Sequence, residues 1–401
     1  MAENFNDTWL KDYYEHFYPV KSILKWLSYG KRPSEYLQNR EFAFILKDDV
    51  HYRYLNFTES GQFRKELEKV IPHKVDLGAV YNHSPKDRLK YRDFKAQERE
   101  LVFDIDLTDY DEIRKCCSGA SVCQSCWRWM TIAVKVLDKL LRNHFGFIKI
   151  LWVFSGRRGI HCWVVDETAR KLDNTGRAAV ADYLSLIAGT KKVEIDQNFT
   201  HPMLEDAYST IMNCGEIDDL VVEQKWLDSS ENWNSILELC KDEKMRYTLN
   251  DEFQRLTTPE LRWKLLKRRF DEETRETLDE RNCPEIPALA KNFLKSFVLQ
   301  YAYPRLDVNV STGTNHLLKS PFCVHPKTGK VAVPVNPKTI GSFNLETLPT
   351  MKKLIEELSK LTKAENESTK ENVGKTLYYK QSSLAPYIEN FESFVASAIS
   401  C

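Results

Sequence analysis

The eleven residues Glu100 to Tyr110, ELVFDIDLTDY, constrain this chain more than any other stretch. Apolar residues and carboxylates alternate, so a strand here sends Asp104 and Asp106 off one face and Phe103, Ile105 and Leu107 off the other. The α-carbons of the two acids then lie about 7 Å apart. From that spacing two carboxylates reach a pair of Mg²⁺ or Mn²⁺ ions held ~3.5–4 Å from each other, the arrangement used for phosphoryl transfer. An isolated D-x-D is more often the solvated side of a half-exposed strand, so its surroundings decide.

Composition narrows those surroundings. The chain has 401 residues, room for two or three cores. Lys plus Arg and Asp plus Glu both count 58, so no global field draws it to a polyanion, and any such site must be a local patch. No secretory segment and no apolar run approaching a membrane span occurs, which predicts a soluble intracellular protein with no membrane contact. In that setting the ten cysteines are reduced thiols or metal ligands.

Four of them crowd into CCSGASVCQSC, residues 116–126. The density and the C-x-x-C pair fit a tetrahedral zinc site, and Ser, Gly and Gln between the thiols mark a loop instead of a core. Cys116 and Cys117 are adjacent, too close for an unstrained disulfide. Whether both ligate zinc is left open, with His144 or His83 as a reserve. Four cysteines leave no open coordination position, so the metal is structural.

A helix with an apolar stripe from Met130 to Leu141 follows, ended by Gly146. IKILWVF and IHCWVV then read as two strands joined by Ser155, Gly156, Arg157, Arg158 and Gly159. Glycines permit the tight turn and leave two guanidinium forks beside exposed backbone N–H groups, a match for a triphosphate. His161, at the head of the second strand, adds a donor. One strand–helix–strand unit after D-x-D, this turn favours nucleotide binding over a solvated Arg–Arg surface.

Other segments carry weaker signals. NREFAFIL places Glu41 at the entrance of an apolar run, and HYRYLNF holds Arg53. PHKVDLGAVY puts Lys74 and Asp76 on one strand face, with Gly78 marking a bulge or a close approach to the backbone. YPRLDVNV reads as a strand with Arg305, Asp307 and Asn309 on one face, supplying a third carboxylate; His316, Lys319 and His325 follow as phosphate-compatible donors. Residues 191–290 read as a helical insertion, and 359–376 as a flexible linker before an apolar tail.

Taken together, NREFAF, ELVFDIDLTDYD, CCSGASVCQSCW, WVFSGRRGIHCWV, YPRLDVNV and NHLLKSPFCVHPKTG resemble, in order, the motif series of the small catalytic subunit of eukaryotic DNA primase, in the archaeo-eukaryotic primase superfamily. The resemblance implies a mixed α/β (α+β) primase catalytic fold, discontinuous over 1–190 and 291–401, with an inserted all-helical subdomain at 191–290 and a structural zinc motif at 116–126. It implies that Asp104, Asp106 and Asp307 hold two Mg²⁺ or Mn²⁺ ions, with Glu41 a further active-site acid. It also implies that Ser155, Gly156, Arg157, Arg158, Gly159, His161, His316, Lys319 and His325 line the nucleotide site, completed by Arg53, Lys74 and Asp76. Cys116, Cys117, Cys123 and Cys126 match the family's Zn²⁺ ligands. The activity implied is synthesis of short RNA primers from ribonucleoside triphosphates on single-stranded DNA, in the nucleus. The implied partners are a large primase subunit and the DNA polymerase α assembly. From the residues alone, a repair or translesion primase-polymerase, a two-metal nuclease and a non-catalytic zinc scaffold stay open.

Overall fold

Every stretch read as a strand for its alternation is one, except the last. The computed structural model describes residues 5–187, 193–276, 285–367 and 377–400. Among these, strands β1 (Arg40–Ile45), β2 (His51–Leu55), β3 (Lys74–Tyr81), β4 (Ala96–Glu98), β5 (Leu101–Asp106), β6 (Ile150–Phe154), β7 (Gly159–Val164), β8 (Leu318–Lys319) and β9 (Pro334–Val335) form two sheets amid many helices. The chain divides into two compact units: Met1–Asp104 with Phe147–Ala181 and Asp307–Cys401, and Ile105–Gly146 with Asp182–Leu306.

In the first unit one sheet has the order β2-β1-β3-β4, with β8 also on β3. All six residues of β1 are buried. Phe42 and Phe44 pack on Phe63 of the helix Ser60–Val70, while Glu41 leaves the opposite face, buried as well. Two irregularities re-aim side chains. Between Phe42↔Leu55 and Phe44↔Tyr52, Arg53 and Tyr54 stand opposite Ala43 alone, a β-bulge in which Tyr54 takes φ 63°. The β1–β3 register also slips beside Gly78, where an added Cβ would lie 2.9 Å from the Glu41 carboxylate, so the close approach expected there is to a buried acid. β8 sets Lys319 directly opposite Asp76.

The other sheet has the order β5-β7-β6-β9. β6 and β7 are an antiparallel hairpin in register Val153↔His161, closed by Ser155 to Arg158. The tail Ala385–Ile399 is a helix whose Phe391 meets Trp26 and Phe322 edge-on at 5.7 and 5.3 Å. Lys149 donates to its last carbonyls, of Ala398 and Ser400, where a cation suits the helix dipole.

The second unit is helical. Gln124–Phe145 packs on Pro202–Asn213 and Glu216–Glu223. Trp129 Nε1 donates to the Tyr301 carbonyl at 2.8 Å, and Arg128 pairs with Glu216, Asp219 and Glu223. This helix buries its apolar residues against helices, and it and the cysteine loop group with 182–306.

Two expectations are corrected. Asp307 is not on a strand: its carboxylate accepts the Asn309 N–H at 3.1 Å and caps the short helix Val308–Thr312, a local bond that outcompetes the alternating pattern. Arg305, expected beside it, donates instead to Glu112 at 2.7 Å and to the Asp109 carbonyl at 2.6 Å. Of the expected linker 359–376, residues 359–367 complete the helix Met351–Glu367, whose apolar residues recur at helical spacing; 368–376 lie outside the described residues.

Candidate active site

The carboxylates come first. β5 carries Asp104 and Asp106 half-buried on one side and Phe103 and Ile105 fully buried on the other. Asp307, more than two hundred residues later, donates its backbone N–H to the Asp104 carbonyl at 3.2 Å. That bond fixes the two α-carbons as neighbours without using their carboxylates on each other. Asp106 ends β5 and accepts from Thr108 N and Oγ1 at 2.9 and 2.8 Å.

A histidine and a lysine stand near Asp104. His161 Nε2 stands 3.6 Å from Asp104 Oδ1. Burial, helped by Lys319, pushes His161 down to about 3, so it is a neutral ring beside a carboxylate, and its buried Nδ1 has no partner among the described residues. Lys319 donates to the Ser155 carbonyl, and burial lowers its pKa although Asp76 and Asp104 oppose the shift. Asp76 is raised by burial against the pull of Lys319 and Lys74, and its buried Oδ1 has no partner among the described residues. Lys74 itself reaches Asp49 at 3.3 Å.

The hairpin turn is rigid for local reasons. Ser155 N donates to Gly159 O at 2.9 Å, and Gly159 N to Ser155 Oγ at 3.0 Å. Gly156 has φ +89°, and a Cβ there would lie 2.8 Å from His325 Cβ. Thr328 Oγ1 binds the Gly156 carbonyl at 2.7 Å. The turn is thereby tied to the loop carrying His325, whose ring is held down to about 3 by burial and then by Lys319, Arg157 and Lys74. Arg157 and Arg158 flank this point half-exposed. Replacing Gly156 by Ala combines a left-handed backbone with a steric clash. The expected result is a KM for nucleotide raised about tenfold or more with a smaller change in kcat; steady-state kinetics on the folded variant checks it.

Glu41 is placed differently from an open acid. Its carboxylate accepts from Arg53 Nε at 2.9 Å, Arg53 Nη2 at 3.2 Å, the Tyr81 hydroxyl at 3.0 Å and Tyr54 N at 3.3 Å. Four donors make it a post for Arg53, which also reaches the Asn315 carbonyl at 3.4 Å beside the exposed His316. Sequence reasoning missed the supports. Arg99, fully buried, donates to the Gly313 carbonyl at 3.1 Å, and Asn174 accepts the Thr314 N–H at 3.3 Å, so three side chains hold the loop 313–316. The one trace of this was an Arg–Glu pair, Arg99–Glu100, at the head of an apolar strand.

In the second unit the ligand atoms of Cys116, Cys117, Cys123 and Cys126 all lie within 4.8 Å of one another. Tetrahedral Zn–S bonds of about 2.3 Å need sulfurs about 3.8 Å apart, and Cys123 and Cys126 stand at 3.9 Å. Both vicinal cysteines belong to the cluster, and Gln224 Nε2 donates to Cys116 at 3.2 Å, a second support for a thiolate ligand. The donor set fits a zinc ion. The reserve ligand His144 is engaged with Asp206 at 3.0 Å and Tyr183 at 2.8 Å, and His83 with Asp93 at 3.3 Å. Cys126→Ser is expected to lower zinc from about one equivalent per chain to well below half, read by elemental analysis, and to reduce the melting temperature.

Acids on adjoining segments, with His161 of the arginine-bearing hairpin 3.6 Å from one of them, suit a nucleotidyltransferase. A profile of the DNA primase small subunit family matches residues 103–337. The DNA primase small subunit of Caenorhabditis elegans is 44% identical over 97% of both chains. That of Schizosaccharomyces pombe is 38% identical over 88% of this chain and 78% of its own, and that of Saccharomyces cerevisiae 34% over 96% and 90%. The chain belongs to the DNA primase small subunit family, a family of DNA-dependent RNA polymerases, and its mixed α/β architecture is that family's fold.

Proposed function

We propose that this protein synthesises short RNA primers from ribonucleoside triphosphates on single-stranded DNA, as the catalytic subunit of a nuclear primase that works with a large subunit and a DNA polymerase α assembly. The observation that carries the reading is the backbone bond joining Asp307 to Asp104, with Lys319 and His161 against the same acid. Hard oxygen donors on adjacent segments suit Mg²⁺ or Mn²⁺, and Asp104, Asp106 and Asp307 would hold them. Bound there, the ions would supply Lewis acidity toward the attacking 3′-hydroxyl and the pyrophosphate.

The chain's own residues do the positioning. Arg157 and Arg158 would present forks to phosphate oxygens from a turn fixed at both ends, with Lys319 as a further cation and neutral His325 as a hydrogen-bonding ring beside it. Neutral His161 can orient the Asp104 carboxylate without a charge that would compete with a cation. Arg53, Lys74, Asp76 and His316 would meet the sugar and phosphates, and Glu41 would serve by aiming Arg53. No helix among the described residues is long and apolar enough to cross a membrane.

The test is synthesis without a primer: purified protein, oligo(dT), ATP and Mn²⁺, with products resolved from the dinucleotide upward, and a parallel reaction with dATP. Ribonucleotide products that lengthen when a large subunit is added are expected. A strong preference for dATP, or degradation of labelled DNA without nucleotide, would overturn the reading in favour of a repair polymerase or a nuclease.

A further inference from the structure

Between β3 and β4 the chain runs through KDRLKYRDFK, residues 86–95, which the site described above does not use. Five of these ten residues are basic and two acidic, in a chain whose charges cancel overall. Both acids are engaged locally: Asp87 pairs with Lys90 at 2.6 Å, and Asp93 with His83 at 3.3 Å and with Asn82. Lys86, Lys90, Arg92 and Lys95 are exposed.

Aromatic rings are interleaved with the charges and held in place. Tyr91 stacks flat on His83, 3.7 Å between centroids and 4° between planes, and is still 43% exposed. Phe94 stacks on Tyr81 at 4.3 Å, and Tyr52 of β2 is 46% exposed. Tyr54, left-handed in the β2 bulge, has two guanidinium groups over its ring, Arg88 at 4.1 Å and Arg53 at 5.0 Å from the ring centre. An aromatic residue at positive φ is an outlier that the surroundings must hold. What it secures here is a continuous line of side chains. Arg88 covers Tyr54, Tyr54 covers Arg53, and Arg53 is fixed by Glu41 and reaches Asn315 beside His316.

Cations that track a backbone, alternating with ring faces on which bases stack, are the chemistry of single-stranded nucleic-acid binding. A duplex hides its base faces and would leave the exposed tyrosines unused. We propose that Lys86–Lys95, with Tyr52 and Tyr54, forms a landing surface for the unpaired template strand and leads it to the nucleotide site through Arg53. This rests on the reading of the chain as a template-directed polymerase.

The experiment measures binding of a fluorescent oligo(dT) by anisotropy, at several salt concentrations, without nucleotide or divalent metal. In the triple variant Lys86→Ala/Lys90→Ala/Arg92→Ala the Kd should rise about tenfold or more at low salt. The slope of log K against log salt should shrink by about 2, as expected for three lost phosphate contacts on a single strand. Tyr91→Ala should weaken binding about fivefold or more, and Tyr91→Phe should restore it. These substitutions are on exposed side chains, and an unchanged melting temperature confirms folding. Unchanged Kd and slope, equal competition by duplex of the same length, or a wild-type protein that does not bind oligo(dT) at low salt would each overturn the surface. Intact binding that needs these residues, in a protein making no RNA, would support the surface and sink the polymerase reading instead.

Discussion

Asp307→Asn should leave the protein folded and reduce primer synthesis by more than about 10³-fold. The amide keeps the side-chain oxygen that accepts from Asn309 N at 3.1 Å, so the cap of Val308–Thr312 survives, and the backbone N–H still donates to the Asp104 carbonyl. Only a negative charge is lost, at the place where two divalent ions would be neutralised. Removing a single preorganised hydrogen-bond donor costs about 10²–10³ in kcat, and in the proposed role Asp307 holds ions that stabilise both the attacking and the leaving oxygens, so the loss should exceed that range. kcat should carry the effect, because Arg157, Arg158 and Lys319, the residues proposed to meet the triphosphate, are untouched. The measurement is initial-rate synthesis on oligo(dT) with ATP and Mn²⁺, beside circular dichroism and zinc content. Activity within tenfold of wild type would remove Asp307 from the catalytic centre. Asp104→Asn offers the companion test on the other side of the same backbone bond.

What the sequence displayed was chemistry packed into short windows. The alternation of β5, the Ser155–Gly159 turn between two apolar strands and four cysteines in residues 116–126 each depend on neighbours within about ten residues, and local periodicity reports those. The alternation misled at Asp307, because Asp followed by Val-Asn-Val can satisfy a helix cap as readily as a strand face, and only the bond to Asp104 decides. Glu41 was legible as an acid near the site but not as the anchor of Arg53. That role comes from a bulge setting Arg53 and Tyr54 against one residue of β1, and from Gly78 leaving room beside the carboxylate. Neither feature has a period. The strut from Arg99 to Gly313 joins residues 214 apart in sequence, beyond the reach of any window. The helix Gln124–Phe145 shows the same limit: its partners lie in 202–223, and nothing in its own stripe says which surface it covers.

Glu100→Gln should destabilise the protein by about 3–5 kcal/mol, the cost of leaving a buried charge without its partner. Glu100 and Arg40 are both fully buried and meet in a two-point fork at 2.9 and 2.6 Å, with the Tyr29 hydroxyl donating to the same carboxylate. Arg99 and Arg177 lie close by; burial lowers Arg99 to about 9 and Arg177 to about 10. One carboxylate therefore balances several guanidinium groups at the root of β5, four residues before Asp104. Glutamine keeps the shape and removes the balance. Burial alone would raise Glu100, but Arg40 and Tyr29 pull it from an ordinary 4.5 to about 2. A depressed carboxylate contributes stability that is complete above the unfolded value and is lost as pH falls through the folded one. The gap between wild type and Glu100→Gln in urea unfolding should thus be full at pH 7 and close between about pH 4.5 and 2. The double variant Arg40→Met/Glu100→Leu, which removes both charges, should recover much of the loss, since apolar replacement of a buried pair is often neutral. If the single variant costs less than about 1 kcal/mol, or the gap does not depend on pH, the root of β5 is solvated and the strut through Arg99 to the His316 loop loses its foundation.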